Sequence, residues 1–381
     1  MNILALNWRC TSHPQAGGAE INLFEQARRW VEEGHEVTVF CSDPGRAHAP
    51  VRDEHLDGIK VVRRGGRFGV YFYAAIFLLL NFWKYDRVLD VANGIPFFAP
   101  LFTTRPVVLL VHHVHDQQWF AEFSLLPATV GWFLERRVVP LLYRRRPVIA
   151  VSPTTRDALV ETGLSRSRIR VIYNGVEQPD RAQQVAYSGE RRIAYVGRIK
   201  RYKRLERLVR LIPALRSEFP DVHLDIAGTG DALPLVEDLI CELGLQECVT
   251  THGFVNDRKK SEILGRAAVF ATPSMHEGWG LSVIEANSHG CPAVAYDVPG
   301  LRVAVRHGLT GLLARDDDAF RRALALFLAD VEVRQRYSAA ALGWSRRFTW
   351  ESCAAQTLEV LYADSVSHVS RVGSVAGEPA A

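Results

Sequence analysis

Two carboxylates, Glu277 and Glu285, stand eight residues apart in the run Glu277-Gly-Trp-Gly-Leu-Ser-Val-Ile-Glu285. A tight glycine turn follows the first, and an apolar, helix-prone segment carries the second. Eight residues is a little over two helical turns. The spacing predicts Glu277 in a loop and Glu285 inside the helix that follows. Amides around Gly280, Leu281 and Ser282 would then be free at the helix N-terminus, where the dipole favours an anion. Such a layout suits a phosphorylated ligand held at the helix start while one carboxylate reaches its far end. Paired carboxylates can also serve as the acid and nucleophile of a glycosidase. The cations and glycine turns described next would then have no purpose.

Gly17-Gly18-Ala19-Glu20 follows a first apolar strand and opens a helix, so backbone can approach a ligand closely there. It is not the G-x-G-x-x-G dinucleotide fingerprint. His112-His113-Val114-His115-Asp116 ends a buried strand, where α/β domains place functional groups. His112, His115 and Asp116 are candidate metal ligands, but no HExxH pattern or further ligand cluster accompanies them. A polar role toward substrate is the better reading. Arg198-Ile-Lys-Arg-Tyr-Lys203 follows a strand ended by Gly197. From there Arg198 can fork across phosphate oxygens and Lys203, expected to enter the next helix, adds a point charge.

Those residues need a scaffold that brings strand ends together. Short apolar runs alternate with amphipathic stretches: Asn2–Asn7, Glu20–Glu33, Val37–Cys41, Val107–His112 and Val148–Ser152, then again from Arg192–Gly197 through Ala293–Tyr296. This alternation implies parallel sheets built from βαβ units. The polar stretch Gln178–Glu190 reads as a linker between two doubly wound domains, with ligands expected in the cleft where strand ends face each other. A chain of 381 residues has room for both. At 48% hydrophobic and 23% charged its composition is that of a soluble globular protein. A net charge of +4 does not by itself argue for nucleic acid. Six cysteines without CxxC spacing fit reduced cytosolic thiols. The start MNILALNW runs straight into a strand and shows no secretion signal. Phe68–Trp83 is apolar and flanked by Arg63, Arg64, Arg67, Lys84 and Arg87. At 16 residues it is short for a membrane span, which needs about 20. It and the Trp119–Arg146 stretch read either as core helices or as a membrane-surface patch.

Taken in order, these pieces resemble glycosyltransferase family 4, the retaining nucleotide-sugar enzymes of GT-B fold. EGWGLSVIEA matches that family's E-x7-E motif. GGAE, the strand-end His112, VSPTT at Val151–Thr155, VIYNGVE at Val171–Glu177, VGRIKRYK, IAGTGD, HGFV, HGLTGLL and FTWE follow the family's order over nearly the whole chain. The resemblance implies an α/β GT-B architecture of two Rossmann-like domains facing a central cleft. Residues 1–177 would be the acceptor-side domain, completed by a returning helix at 349–363. Residues 191–347 would bind the nucleotide sugar, and 365–381 would be a disordered tail.

It also implies roles. Glu277 would contact donor sugar hydroxyls and His112 the donor sugar near the reacting carbon. Arg198, Lys203, Gly280, Leu281 and Ser282 would hold the diphosphate, and Gly17 and Gly18 would approach it or the acceptor. Glu285 would take the ribose, with Gly253 and Phe254 beside the base. No metal and no cofactor are expected beyond the nucleotide diphosphate sugar itself. The acceptor would be a glycan, a lipid-linked sugar or a small molecule. A membrane surface is a candidate partner and nucleic acid is not. The expected location is cytoplasmic, with peripheral attachment at the inner membrane face as a further option. The rival readings are a non-catalytic nucleotide-sugar-binding protein, or an epimerase or phosphorylase on the same fold. Two departures stand out. After Asp297 the family often has Gly-Gly-x-x-Glu, and here the chain reads Val298-Pro-Gly-Leu-Arg. His113 replaces the Asp often seen after the strand-end His.

Overall fold

The computed structural model describes residues 1–13, 16–44, 53–116, 118–179, 187 and 189–363. The expected linker Gln178–Glu190 falls mostly, and the tail 365–381 wholly, outside them. The chain forms two units, Met1–Tyr173 together with the segment from Trp350 onward, and Asn174–Thr349.

In the first unit the order is β1 (Asn2–Leu6), α1 (Gly18–Glu32), β2 (Glu36–Cys41), β3 (Asp53–Leu56), β4 (Ile59–Arg63), α2 (Gly69–Asn81), β5 (Arg87–Ala92) and β6 (Val107–Val111). Then come α3 (Gln118–Glu122), α4 (Leu125–Phe133), α5 (Val139–Tyr143), β7 (Val148–Ala150), α6 (Pro153–Glu161) and β8 (Ile169–Val171). The sheet runs β3-β4-β2-β1-β5-β6-β7-β8. Every pair is parallel except the β3–β4 hairpin. That hairpin turns on Asp57-Gly58, both at positive φ, the preferred two-residue turn for strands of native twist. The central strands are apolar on both faces, as strands covered by helices on both sides must be. Valines and leucines from β5, β6 and β7 pack with Val70, Ala74 and Leu78 of α2 in one core.

The second unit continues with β9 (Arg192–Val196), α7 (Leu205–Glu218), β10 (His223–Ala227), α8 (Leu233–Glu242), β11 (Val249–Thr251), α9 (Asp257–Arg266) and β12 (Val269–Thr272). It ends with α10 (Leu281–Ser288), β13 (Ala293–Tyr296), α11 (Pro299–Ala304), β14 (Gly311–Ala314), α12 (Asp317–Ala329) and α13 (Val331–Ser345). Its parallel sheet runs β11-β10-β9-β12-β13-β14. This is the doubly wound order that reverses direction between its first and fourth strands, here β9 and β12, and ligands bind beyond the strand ends at that reversal.

The chain then returns to the first unit as α14 (Trp350–Tyr362). Trp30 of α1 is fully buried and donates from Nε1 to the Ala354 carbonyl at 3.1 Å. Arg29 closes the rim of this contact on Glu351 at 2.6 Å. The helix expected at 349–363 is therefore built against α1.

Candidate active site

The loops after β9 and β12 carry most of the residues singled out in the second unit. After β9 the chain turns at Gly197, and the turn after β10 lies flush against it. A Cβ at Gly228 would stand 1.9 Å from the Gly197 carbonyl oxygen, and one at Gly230 would stand 2.0 Å from that of Ile199. The Gly197 amide donates to Ala227 at 3.0 Å and the Ile199 amide to Thr229 at 2.8 Å. The glycines of IAGTGD thus fix the path of the chain toward Lys203. Lys203 does not enter α7 as the spacing suggested. It closes a short 3₁₀ turn, Arg201–Lys203, and Arg204 adopts a left-handed conformation (φ 53°) before the helix begins. The Tyr202 carbonyl accepts the Met275 amide at 2.9 Å, tying this turn to the loop after β12.

That tie brings Lys203 and Glu277 into a hydrogen-bonded ion pair, with only 13% and 14% of the two side chains exposed. Burial disfavours the Lys203 ammonium, but the carboxylate outweighs it and raises the pKa. Gly300 of α11 sits against the backbone of Glu277, where a Cβ would meet the Glu277 carbonyl oxygen at 1.8 Å. The Val298-Pro299-Gly300 departure from the family pattern therefore keeps the one glycine that Glu277 needs. Pro299 occupies the first turn of α11, a position where its missing N–H goes unused.

Gly280, at φ 87°, precedes α10, and Glu285 falls inside the helix as its spacing predicts. Among the described residues the Leu281 and Ser282 amides have no backbone acceptor. Glu285 pairs with Lys260 of α9 at 3.0 Å, and that carboxylate, against burial, raises the lysine's pKa. No local signal marks Lys260, which lies 25 residues from Glu285 and meets it only through packing. Arg198 is exposed, and its guanidinium makes no hydrogen bond or ion pair among the described residues. Gly253 adopts φ 62° and accepts the Gly228 amide at 2.7 Å, leaving Phe254 84% exposed.

In the first unit the Gly17 amide donates to Glu20 Oε2 at 2.7 Å, so it is spent on capping α1. Of the two glycines expected at a diphosphate, this leaves Gly18 at the open helix start. His112 follows β6 and is buried. Its Nε2 has no hydrogen-bond partner among the described residues. Burial lowers its pKa from 6.5 to about 4, so the ring is neutral at physiological pH. The VSPTT motif positions it from behind. Ser152 caps α6 by accepting the Thr155 amide at 3.1 Å, and the Thr155 hydroxyl reaches the His112 carbonyl at 3.3 Å. Glu135, unmarked in sequence, organises the rest of the His-rich loop. It projects from a π-helical turn, Leu134–Val138, and accepts the His115 amide (2.8 Å), the Asp116 amide (2.9 Å) and Trp119 Nε1 (3.0 Å). Asp116 is itself engaged by Trp132 and Arg136. His112, His115 and Asp116 do not assemble as a three-ligand group; no such group occurs among the described residues.

In the second unit the singular residues after β9 and β12 lie beyond strand ends at the reversal of strand order, with cations and helix-end amides beside them; in the first, Gly18 follows β1 at its reversal and His112 follows β6, one strand beyond β5. With that geometry goes a likeness to solved structures. An Anabaena protein, HepE, in complex with UDP-glucose matches over 95% of this chain and 99% of its own, with a TM-score of 0.75 at 20% identity. A sucrose-phosphate synthase from Thermosynechococcus elongatus matches over 94% and 98%, with a TM-score of 0.75 at 21% identity. The fold is GT-B. Residues 16–178 match the model of Glycosyltransferase Family 4, and residues 176–344 that of glycosyl transferases group 1. A D-inositol 3-phosphate glycosyltransferase of Thermobispora bispora is 31% identical over 93% of this chain and 92% of its own. One from Streptomyces griseus is 30% identical over 56% of this chain, and there the chain spans only 50% of that relative's length. The protein belongs to glycosyltransferase family 4.

Proposed function

We propose that this chain transfers a hexose or deoxyhexose, with retention, from a nucleotide diphosphate sugar to a glycan, lipid-linked or small-molecule acceptor. The observation that carries this is the second unit's row of groups at its switch point: Arg198, Lys203, Glu277, the Gly280–Ser282 amides and Glu285. Breaking the sugar–phosphate bond develops negative charge on the diphosphate and positive charge on the sugar ring. Fixed cations and helix-end amides stabilise the first in a way water cannot, because they need no reorganisation. Lys203 would turn from Glu277 toward phosphate when donor arrives, freeing the carboxylate for sugar hydroxyls. Glu285 would take the ribose. A solved protein of this fold, HepE, is in complex with UDP-glucose, which supports a donor of this chemical class.

From the first unit, His112 would hydrogen-bond the donor sugar as a neutral imidazole, which adds no positive charge beside a ring that is becoming cationic. Gly18 would offer its amide to the diphosphate. No metal or further cofactor has a part in this scheme. The leaving phosphate oxygen would accept the acceptor's proton.

A membrane surface is the proposed setting for the acceptor. No described helix is long and apolar enough to cross a membrane. Yet α2 carries no charged residue and exposes Phe72, Leu79 and Leu80, with Phe68 and Trp83 beside it. Leu125 and Leu126 of α4 are each 76% exposed. Exposed apolar surface on this scale marks an interaction site. The basic flank is smaller than its sequence suggests. Arg63 is fully buried and pairs with Glu54, and Arg64 pairs with Asp53 at 2.8 Å. Contact with lipid would therefore be mainly apolar.

The test of the activity is release of nucleoside diphosphate by the purified protein from UDP-, GDP-, ADP- and dTDP-sugars, with and without candidate acceptors. Release that requires an acceptor is the expected result. Nucleotide binding without any release favours the non-catalytic reading, and no binding at all overturns the proposal. Liposome pelleting that survives Phe72→Glu with Leu80→Glu would overturn the membrane setting.

A further inference from the structure

One charged cluster in the second unit lies outside the groups assigned above. Asp225, at the middle of β10, has a side chain only 8% exposed. Its Oδ1 accepts His252 Nε2 at 2.8 Å and its Oδ2 accepts Arg192 Nη1 at 2.8 Å. Arg192 opens β9 and is held in turn by Glu190. His252 follows β11 directly, and its amide continues the ladder to Ile226 at 2.8 Å. The next two residues are Gly253 and Phe254.

The short segment His252–Asn256 is fastened at three points. The His252 ring is held by Asp225. The Gly253 carbonyl accepts the Gly228 amide, and Gly228 itself lies against the turn that leads to Arg198 and Lys203. Asn256 caps α9 by accepting the Lys259 amide at 2.9 Å, and one turn later Lys260 reaches Glu285. Phe254 is left standing out between these anchors.

Behind the first anchor the packing is not tight. A half-open pocket of about 270 Å³ lies between the sheet and α9, lined by Arg192, His223, Asp225, His252, Glu262 and Arg266 among others. The His252 ring borders this open space, so packing alone does not surround it. Its place is set by hydrogen bonds, and a buried carboxylate with two charge-assisted partners is a strong anchor.

We infer that Arg192, Asp225 and His252 act as positioning residues that hold Gly253 and Phe254 as a fixed edge for the donor's base. The inference rests on reading that edge as the base side of the site. Phe254 offers a ring face on which any base can stack. The Asp225–His252 bond supplies the rigidity without which an exposed ring adds little affinity, because a mobile ring must be ordered at each binding event.

The experiment measures equilibrium binding, by calorimetry on the full chain, of two probes. One is whichever of UDP, GDP, ADP and dTDP the wild type binds most tightly. The other is inorganic pyrophosphate, which has no base. Phe254→Ala and His252→Ala should each weaken the nucleotide about tenfold, the loss expected for one base–aromatic contact, and leave pyrophosphate unchanged. His252→Gln, whose amide can still donate to Asp225, should recover most of that loss. Asp225→Asn should fall between and serves in place of His252→Ala if the alanine variant does not fold. Unchanged nucleotide affinity in His252→Ala, with a loss in Phe254→Ala, refutes the brace and leaves the base-side reading intact. No loss in Phe254→Ala, or a wild type that binds none of the four nucleotides, refutes the reading on which the brace rests. An equal loss of pyrophosphate in His252→Ala also refutes the brace, because the damage is then general.

Discussion

Lys203→Met removes one partner of a pair whose other member stays behind in a mostly buried site. Both side chains are largely shielded, at 13% and 14% exposure, so Glu277 would be left without a counter-ion. Stranding one charge of a buried pair costs about 3–5 kcal/mol. For a unit of this size each kcal/mol moves the melting temperature by about 2–4 °C, so the second unit should melt about 6–20 °C lower. Glu277→Gln strands the ammonium instead and should cost a similar amount. The double variant Lys203→Met with Glu277→Gln removes both charges, and most of the loss should return. The assay is calorimetric or denaturant unfolding of all four proteins without nucleotide. A double-mutant cycle should give a coupling of about 2 kcal/mol or more, toward the upper part of the range for residues in direct contact. All three variants should lose donor turnover, including the double variant whose stability is restored, which separates folding from catalysis. If the single variants melt within 2 °C of wild type, or if their losses simply add, the pair is screened by solvent and the reasoning fails.

Three further outcomes follow from other contacts. Gly300→Ala would push a methyl group onto the Glu277 carbonyl; it should cost about 1–3 kcal/mol by overpacking and lower kcat/KM up to about a hundredfold, as a 1 Å displacement can, read by unfolding and steady-state kinetics. His112 is held neutral down to about pH 4, so the unfolded chain takes its proton first as the pH falls. Its contribution of about 3 kcal/mol is therefore intact above pH 6.5 and lost between pH 6.5 and 4; the difference in unfolding free energy between wild type and His112→Gln, followed across that window, should fall with pH. The Cys10 thiol is drawn down to about 5 by the Cys41 thiol, then Ser12 and the Arg63 guanidinium, against burial; a thiolate absorbance step near that pH should be present in the wild type and absent in Cys10→Ser.

Much of the fold was legible because its signals are local. Continuous apolar runs marked the buried strands, and the glycine turn before a helix-prone segment placed Glu277 and Glu285 correctly. The β3–β4 hairpin carried the Asp57-Gly58 signal but not apolar alternation, since β3 reads Asp-Glu-His-Leu on an exposed edge. What stayed hidden depends on pairs far apart in sequence. Lys260 neutralises Glu285 and Glu135 holds the His-rich loop only because helices bring them across 25 and 20 residues. Arg63 looked like one more basic flank residue. A guanidinium at the end of a strand beside Glu54 and Cys10 can be buried, and neither partner is visible from its neighbours in the chain.

The return of α14 to the first unit bears on how the protein is made. The second unit is a single uninterrupted stretch, Asn174–Thr349. The first is completed only when the helix that covers Trp30 has been synthesised. During translation the later-encoded unit therefore has all its residues before the earlier one does, reversing the usual order in which domains mature from the N-terminus. Until then the apolar face of α1 waits uncovered, and a nascent chain stalled before Trp350 is the species most exposed to aggregation.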